Sequence, residues 1–354
     1  MPLSSGPSNG RVVQTLRDGF WDRTEVVELP DGSRRVRKAH KDDLTAGPWG
    51  AEALRREIRL LRNLDPGAVE HFPALLTAWD NGRDLGYEMT YVQGATDVGE
   101  LAATKALTQP QADAFQDRLA EIVFGRIHRP ADPAEPLSQH VLDIVALVLD
   151  RLEEDPAFGR VIVTPRFCLN GERVSGPRVA SDRIRTDPNL MESLDAKPQV
   201  RLHGDLFLEN ILLPRETTGG NWPAEPTLID PVSVAGVSQG HPLFDLVKYE
   251  SYATGELPAL RGERLHVEGF DRPREANYVC RVLWDDPAIV PYRRINWLGR
   301  FRATYEHIYG PIDWRAYHLL EAYFALVMAL CTHGVQRRGR LLKGTWALNA
   351  ALER

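Results

Sequence analysis

Lysine is scarce in this chain. Lys38, Lys41, Lys105, Lys197, Lys248 and Lys343 are its only six, against 37 arginines in 354 residues. A function that needs a lysine therefore has few candidates. Cysteine is scarcer still. Cys168, Cys280 and Cys331 are far apart, odd in number and without CxxC spacing. That excludes a disulfide framework and a cysteine zinc site, and reads as three small hydrophobes. Long apolar runs are missing: the longest, Ala322–Cys331, is about half of what crosses a bilayer. Met1–Gln14 has no apolar stretch of the secretory kind. Neither charge sign dominates, with 43 basic against 49 acidic residues and a net charge of -6. No polybasic footprint for a nucleic-acid polymer or an anionic membrane exists. No GxSxG, HExxH or Walker A pattern occurs, so hydrolase, zincin and P-loop readings lack support. A soluble protein of a reducing, cytoplasmic compartment is the expectation.

What is present is ordinary for a globular chain, 43% hydrophobic and 26% charged. The length allows one large domain or two lobes. Residues 1–10 are rich in Pro, Ser, Gly and Asn and read as a frayed end. Period-two alternation around the turn Pro30-Asp31-Gly32-Ser33 predicts a hairpin, with Val36 and Lys38 on one strand face. Leu54, Ile58 and Leu61 then recur at helical spacing in Ala51–Leu64. Two more strands are predicted around Asn81-Gly82, and Gly94 breaks the chain. Beyond Pro110 the pattern is helical, with short strands in Val200–Leu213 and Thr227–Ile229. Residues 156–198 are irregular, with a hairpin signal at Asn170-Gly171. The order predicts two lobes: 11–94, β-rich with one main helix, and 95–354, larger and mostly helical, hinged near Tyr91–Gly94.

The segment that carries chemistry is Leu202-His203-Gly204-Asp205-Leu206-Phe207-Leu208-Glu209-Asn210, followed by a strand. Ile229-Asp230-Pro231 comes twenty residues after Asn210. A carboxylate that accepts a proton, with an amide and a second carboxylate for Mg²⁺, is what phosphoryl transfer needs. Asp205 suits the first role; Asn210 and Asp230 suit the second. Such a site also needs a strand lysine for the nucleotide phosphates and a helical glutamate to hold it. Lys38, in Val36-Arg37-Lys38-Ala39, and Glu57, on the predicted helix, stand in that order. Lysine scarcity makes Lys38 a pointed candidate.

These motifs resemble the aminoglycoside phosphotransferase and choline-kinase-like branch of the protein-kinase-like superfamily. His203-Gly204-Asp205 with Asn210 is similar to that branch's catalytic loop, and Ile229-Asp230-Pro231 to its metal-binding segment. Pro242-Leu243-Phe244-Asp245-Leu246 resembles a downstream segment whose Asp supports the loop. Tyr87–Gly94 resembles the last strand and hinge, and Ile127-His128-Arg129 the end of the helix before the substrate region. The resemblance spans roughly residues 11–250. It implies an α+β, bilobal, protein-kinase-like fold and transfer of the γ-phosphate of ATP, or GTP, to a hydroxyl. It implies Asp205 and His203 as catalytic residues, His203 by orienting the loop. Gly19, Lys38, Glu57, Met89, Thr90 and Val92 would meet the nucleotide, Asn210 and Asp230 would hold Mg²⁺, and Asp245 would support the loop.

The phosphate-covering loop departs from the pattern. Asp18-Gly19-Phe20-Trp21-Asp22-Arg23-Thr24 carries one glycine and two aromatics. The acceptor stays open at this level: a small-molecule alcohol such as an antibiotic or metabolite, or Ser/Thr of a natural-product precursor peptide, with residues 156–198 shaping the pocket. A nucleotide-binding pseudokinase is a third reading, opposed by the complete Lys38, Glu57, Asp205, Asn210 and Asp230 set. Trp284-Asp285-Asp286 reads as a helix-boundary carboxylate pair, and Arg337-Arg338-Gly339-Arg340 as a solvated face.

Overall fold

The computed structural model describes residues 6–19, 21–41, 48–82, 84–104, 107–196, 198–214, 225–232, 235–271 and 277–353. Phe20, Lys105, Lys197 and most of the predicted turn Pro214–Pro226 lie outside these.

The first lobe is a sheet with one long helix. β1 (Arg11–Asp18), β2 (Asp22–Glu28), β3 (Arg34–His40), β4 (Leu75–Asp80) and β5 (Leu85–Thr90) form an antiparallel sheet of order β1-β2-β3-β5-β4. α1 (Pro48–Arg62) lies against it and is followed by the single turn α2 (Pro66–Val69). The apolar spacing predicted for this helix is its buried face: Leu54, Ile58 and Leu61 are all buried. Glu57, three residues after Leu54, must share that face, and it is 2% exposed. Register does the rest. Lys38 on β3 sits directly opposite Tyr87 on β5, so both side chains leave the sheet on the side of α1. Residues 1–5 lie outside the described set, but the end of the frayed-looking segment is tied down. Ser8 donates its N–H (3.1 Å) and Oγ–H (2.8 Å) to Glu88, a buried carboxylate also held by Arg37 at 2.9 Å.

The chain crosses to the second lobe at Thr90–Gly94. β6 (Ala95–Asp97) leads into α3 (Val98–Ala103), α4 (Gln109–Ile122) and a π-helical turn at Val123–Ile127. α5 (Leu137–Glu153), α6 (Gly159–Val163), the hairpin β7 (Arg166–Leu169) and β8 (Glu172–Ser175), α7 (Pro177–Arg185) and α8 (Pro188–Asp195) follow. The hairpin turns where Asn170-Gly171 predicted, with both residues at positive φ. β9 (Val200–Arg201), β10 (Ile211–Pro214), β11 (Thr227–Leu228) and β12 (Gln239–Gly240) frame the motif-bearing loops. β10 sits between β11 and β6, which links the hinge to the motif loops. The chain ends with α9 (Leu243–Ala253), α10 (Glu256–Arg261), β13 (Leu265–Glu268), β14 (Asn277–Val282), α11 (Val290–Arg293), α12 (Gly299–Tyr309), α13 (Trp314–Leu330) and α14 (Gly334–Glu353). β13 and β14 join the β7–β8 hairpin in a small sheet that the sequence did not announce. The architecture is α+β and bilobal, as expected. Among the described residues, no helix is long and apolar enough to cross a membrane.

α9 is the core helix of the larger lobe. Every residue but Ser251 is buried, yet it carries Asp245, Lys248 and Glu250. Each of the three has a partner, because a lone buried charge is costly. Asp245 pairs with His128 (3.1 Å), Lys248 with Asp205 (3.0 Å), and Glu250 with Arg302. Residues 156–198 pack as a hairpin and helices against α5 and α14.

Candidate active site

The strand lysine meets its helical glutamate. Lys38 Nζ lies 2.9 and 3.2 Å from the Glu57 oxygens, 3.2 Å from Asp230 Oδ1 and 3.7 Å from Asp22. The Tyr87 hydroxyl donates to Glu57 Oε1 at 2.8 Å. Burial alone would lower the Lys38 pKa, but Asp230, Glu57 and Asp22 together hold it well above the ordinary value. The ammonium is thus charged and fixed.

Asp230 follows β11 with its backbone at φ 51°, a left-handed conformation that costs a non-glycine residue about 1–3 kcal/mol. This conformation accompanies a carboxylate lying between Lys38 and Arg17, whose Nη1 is 3.6 Å from Oδ2. Burial would raise the Asp230 pKa; Lys38 and Arg17 more than reverse that and hold it below the ordinary carboxylate value.

The loop 202–210 is shaped by Asp245, in the first turn of α9. Its two oxygens each accept one backbone N–H at 2.8 Å, from His203 and from Gly204. His128 Nε2, at 3.1 Å, completes the set, and its Nδ1 meets the Tyr309 hydroxyl at 3.0 Å. Gly204 is required on two counts: φ is 79°, and a Cβ would come within 2.6 Å of the Val237 carbonyl. His203 is fully buried, stacked on Phe72, and accepts the Asp205 N–H at 3.3 Å. Burial pushes its pKa down. It lines neither cavity described below, so its contact with the loop backbone is its contribution.

Asp205 faces outward from this loop. Its Oδ1 accepts from Lys248 at 3.0 Å and its Oδ2 from the Asn210 amide at 3.1 Å. Asn210 also ties the loop by donating to the Asp205 carbonyl at 2.8 Å. Lys248 stands between the Phe207 ring (4.7 Å) and the Phe324 ring (4.2 Å). Burial lowers its pKa from the ordinary value despite Asp205.

Two cavities meet here. The larger, about 730 Å³, runs under the hinge and is lined by Met89, Thr90, Val92, Asn210 and Asp230. The smaller, about 190 Å³, starts at Lys38, Asp205 and Asp230 and runs into the helical lobe past Phe207, Lys248 and Phe324. Arg17, Asp230 and Arg261 line both. Gly19 is on the wall of the smaller one, and its carbonyl accepts from Lys41 Nζ at 2.5 Å. No described residue of 156–198 lines the smaller cavity. Asp286 caps the turn at Ala288 (2.9 Å), as a boundary carboxylate does.

Asn210 and Asp230 both open onto the larger cavity with the oxygen donors that Mg²⁺ takes, and Mg²⁺ usually adds substrate phosphates to one or two protein carboxylates. The donor set therefore fits that ion. Among the described residues no three His, Cys, Asp or Glu side chains form a ready-made metal cluster.

Sequence reasoning missed Lys248, Arg17 and Arg261. Lys248 had a usable signal: it is one of six lysines and lies three residues after Asp245, hence on the same helix face. The two arginines are individual members of a crowded class and had none.

No protein-family model matches the chain, and no curated protein matches it. Among solved structures, one described as a "putative fructosamine-3-kinase" from Thermobifida fusca YX-ER1 is similar at 18% identity. The likeness covers 98% of this chain and 95% of that one, with a TM-score of 0.49. At that level the geometry of this chain carries the functional reading by itself.

Proposed function

We propose that this protein transfers the γ-phosphate of a nucleoside triphosphate, ATP or GTP, to the hydroxyl of a small molecule. The observation that carries this reading is the pair of cavities meeting at Asp230, one under the hinge and one ending at Asp205. The nucleotide would occupy the first, its base edge at the backbone near Thr90 and Val92. Lys38, locked by Glu57, would orient the phosphates, with Arg17 and Gly19 above them. Asn210 and Asp230 would hold Mg²⁺, which neutralises phosphate charge when bound.

Asp205 would accept the hydrogen bond of the acceptor alcohol and take its proton. The alcohol oxygen then forms its bond to the γ-phosphorus while the bond to the β-phosphate oxygen breaks, and the nucleoside diphosphate leaves. Lys248 would keep Asp205 aimed at the acceptor. Asp245 and His203 would hold the loop backbone. This is catalysis mainly by positioning and electrostatics. A 190 Å³ cavity suits a small acceptor rather than a length of peptide.

The test is Asp205→Asn. Transfer, followed as an 80-dalton mass gain on the acceptor, should fall by about 10³-fold or more, within the range of general-base and positioning contributions. Nucleotide affinity should stay within about threefold. Undiminished transfer by the variant would remove Asp205 from the chemistry.

A further inference from the structure

The smaller cavity holds a guanidinium without an ion-pair partner among the described residues. Its wall includes eight charged groups from the helical lobe, and all but one have an ion-pair partner. Lys248 pairs with Asp205, and Arg261, on the same wall, pairs with Glu209. Lys343 pairs with Glu256 at 2.8 Å and Glu321 at 3.5 Å, and Glu321 also meets His318 at 2.7 Å. Arg340 is the exception. It is 3% exposed, lines the cavity from α14, and its Nε has no hydrogen-bond partner. No carboxylate among the described residues forms an ion pair with it. Its neighbours on α14 differ in having a partner for the charge: Arg337, whose Nε is likewise without a hydrogen-bond partner, pairs with Asp155 at 2.8 Å, and Arg338 lies over the Phe270 ring at 5.2 Å. The run 337–340 is therefore not one solvated face. It sends one guanidinium inward.

An unpaired buried guanidinium gains nothing for the fold, and the group cannot shed its proton to escape the cost. Burial and the like charge of Arg261 act against it, Cys331 and Glu256 offset only part of that, and its pKa is pressed down to about 10. A ligand anion would supply the missing partner. The same wall carries Leu260, Val327 and Met328, and also Phe324, whose ring lies against Lys248, the partner of Asp205. We infer that the acceptor is a small hydroxy acid, its carboxylate bound by Arg340, its apolar middle along Phe324, and its hydroxyl at Asp205. One guanidinium without an ion-pair partner matches a carboxylate better than a phosphate dianion. It opposes a polycationic acceptor. The volume, about 190 Å³, somewhat exceeds the roughly 150 Å³ of a cavity that takes up benzene, so a one-ring or short branched skeleton fits. This inference rests on the phosphotransferase reading for the placement of the hydroxyl.

The test uses the full-length protein and three matched probes: 4-(hydroxymethyl)benzoate, the neutral 1,4-benzenedimethanol, and 4-(aminomethyl)benzyl alcohol. 4-(Hydroxymethyl)phenyl phosphate separates a carboxylate from a phosphate preference. Equilibrium binding is measured without nucleotide, in the wild type and in Arg340→Met and Arg340→Lys. The acid should bind the wild type at least tenfold tighter than the neutral diol, with the amine weakest. Arg340→Met should erase that preference, Arg340→Lys should retain part of it, and Arg340→Met should melt no lower than the wild type. Four results would overturn the inference: no acid binding at millimolar concentration, no preference for acid over diol, a preference unchanged in Arg340→Met, or tighter binding of the phosphate than of the carboxylate. Transfer is assayed separately with nucleotide. Acid-selective binding with no transfer to any probe would leave the anion site standing and count against the phosphotransferase reading instead.

Discussion

Each lobe buries one lysine at the cleft, and the two are held in opposite ways. Lys38, from the sheet of the first lobe, faces three carboxylates: Glu57, Asp230 and Asp22. Its pKa is raised. Lys248, from the core helix of the second lobe, pairs with Asp205 and lies between two aromatic rings. Its pKa is lowered. The same side chain is thus a fixed charge in one lobe and a softer one in the other. The first surrounding suits a group that must stay cationic beside phosphates. The second suits one that steadies a carboxylate without neutralising it outright.

The comparison breaks most readily at Lys38. Lys38→Met would leave Glu57, 2% exposed, without its cation and Asp230 with Arg17 alone. Breaking a buried pair from one side costs about 3–5 kcal/mol. Chemical unfolding should show that loss, and nucleotide-dependent transfer should fall by about 10²–10³-fold, the scale of removing one preorganised electrostatic contact. A loss below about 1 kcal/mol would mean that the three carboxylates do not depend on this lysine.

Lys248→Met should behave differently. The swap is nearly volume-conserving, and a thioether sits well between rings, so stability should change by less than about 1.5 kcal/mol. Asp205 loses a cation but keeps the Asn210 amide. Transfer should fall by about 10–10²-fold, mainly in kcat, as for a group that aims another. Destabilisation equal to that of Lys38→Met would erase the contrast between the lobes.

The smallest effect is in alkaline pH. The native pKa of Lys38 lies above its ordinary value of 10.5. Its contribution to stability is therefore complete below about pH 10.5 and is lost as pH rises toward the native value. The native pKa of Lys248 lies below 10.5. In the window just beneath that value the unfolded chain binds the extra proton, so the Lys248 contribution improves as pH rises. Urea midpoints between pH 8 and 11 should fall less steeply in Lys38→Met than in the wild type, and more steeply in Lys248→Met. Parallel curves for all three proteins would refute the assignment of opposite shifts.

How much of this was legible depends on how many residues had to agree. Lys38 and Glu57 could be read because strand alternation and helical spacing fix which way each points, and local period survives folding. The loop His203–Asn210 could be read because its polar residues interrupt two apolar runs. Lys248 was hidden in an apolar segment whose partner, Asp205, lies 43 residues away. Arg340 was misread, because a run of arginines near a chain end looks solvated and nothing local shows that α14 turns one of them toward α10 and α13. Residues 156–198, expected to shape the acceptor pocket, pack against α5 and α14, and none of those described lines the smaller cavity itself. Their Asn170-Gly171 turn was a local signal and is present; their docking was not local and had no signal.

Local pattern was enough for the elements that a short period or a turn can encode: the hairpin, the two later strands and the helix of the first lobe, and the order of Lys38, Glu57, Asp205, Asn210 and Asp230. Those depend on neighbours within a few residues. Which buried charges find a partner follows instead from packing across the whole chain. It set Arg17 beside Asp230, Lys248 under Asp205, and Arg340 in a cavity with no partner. The reason is physical. The state of a buried charge is set by the sum of all groups within several ångströms, and those groups come from parts of the chain that only packing brings together.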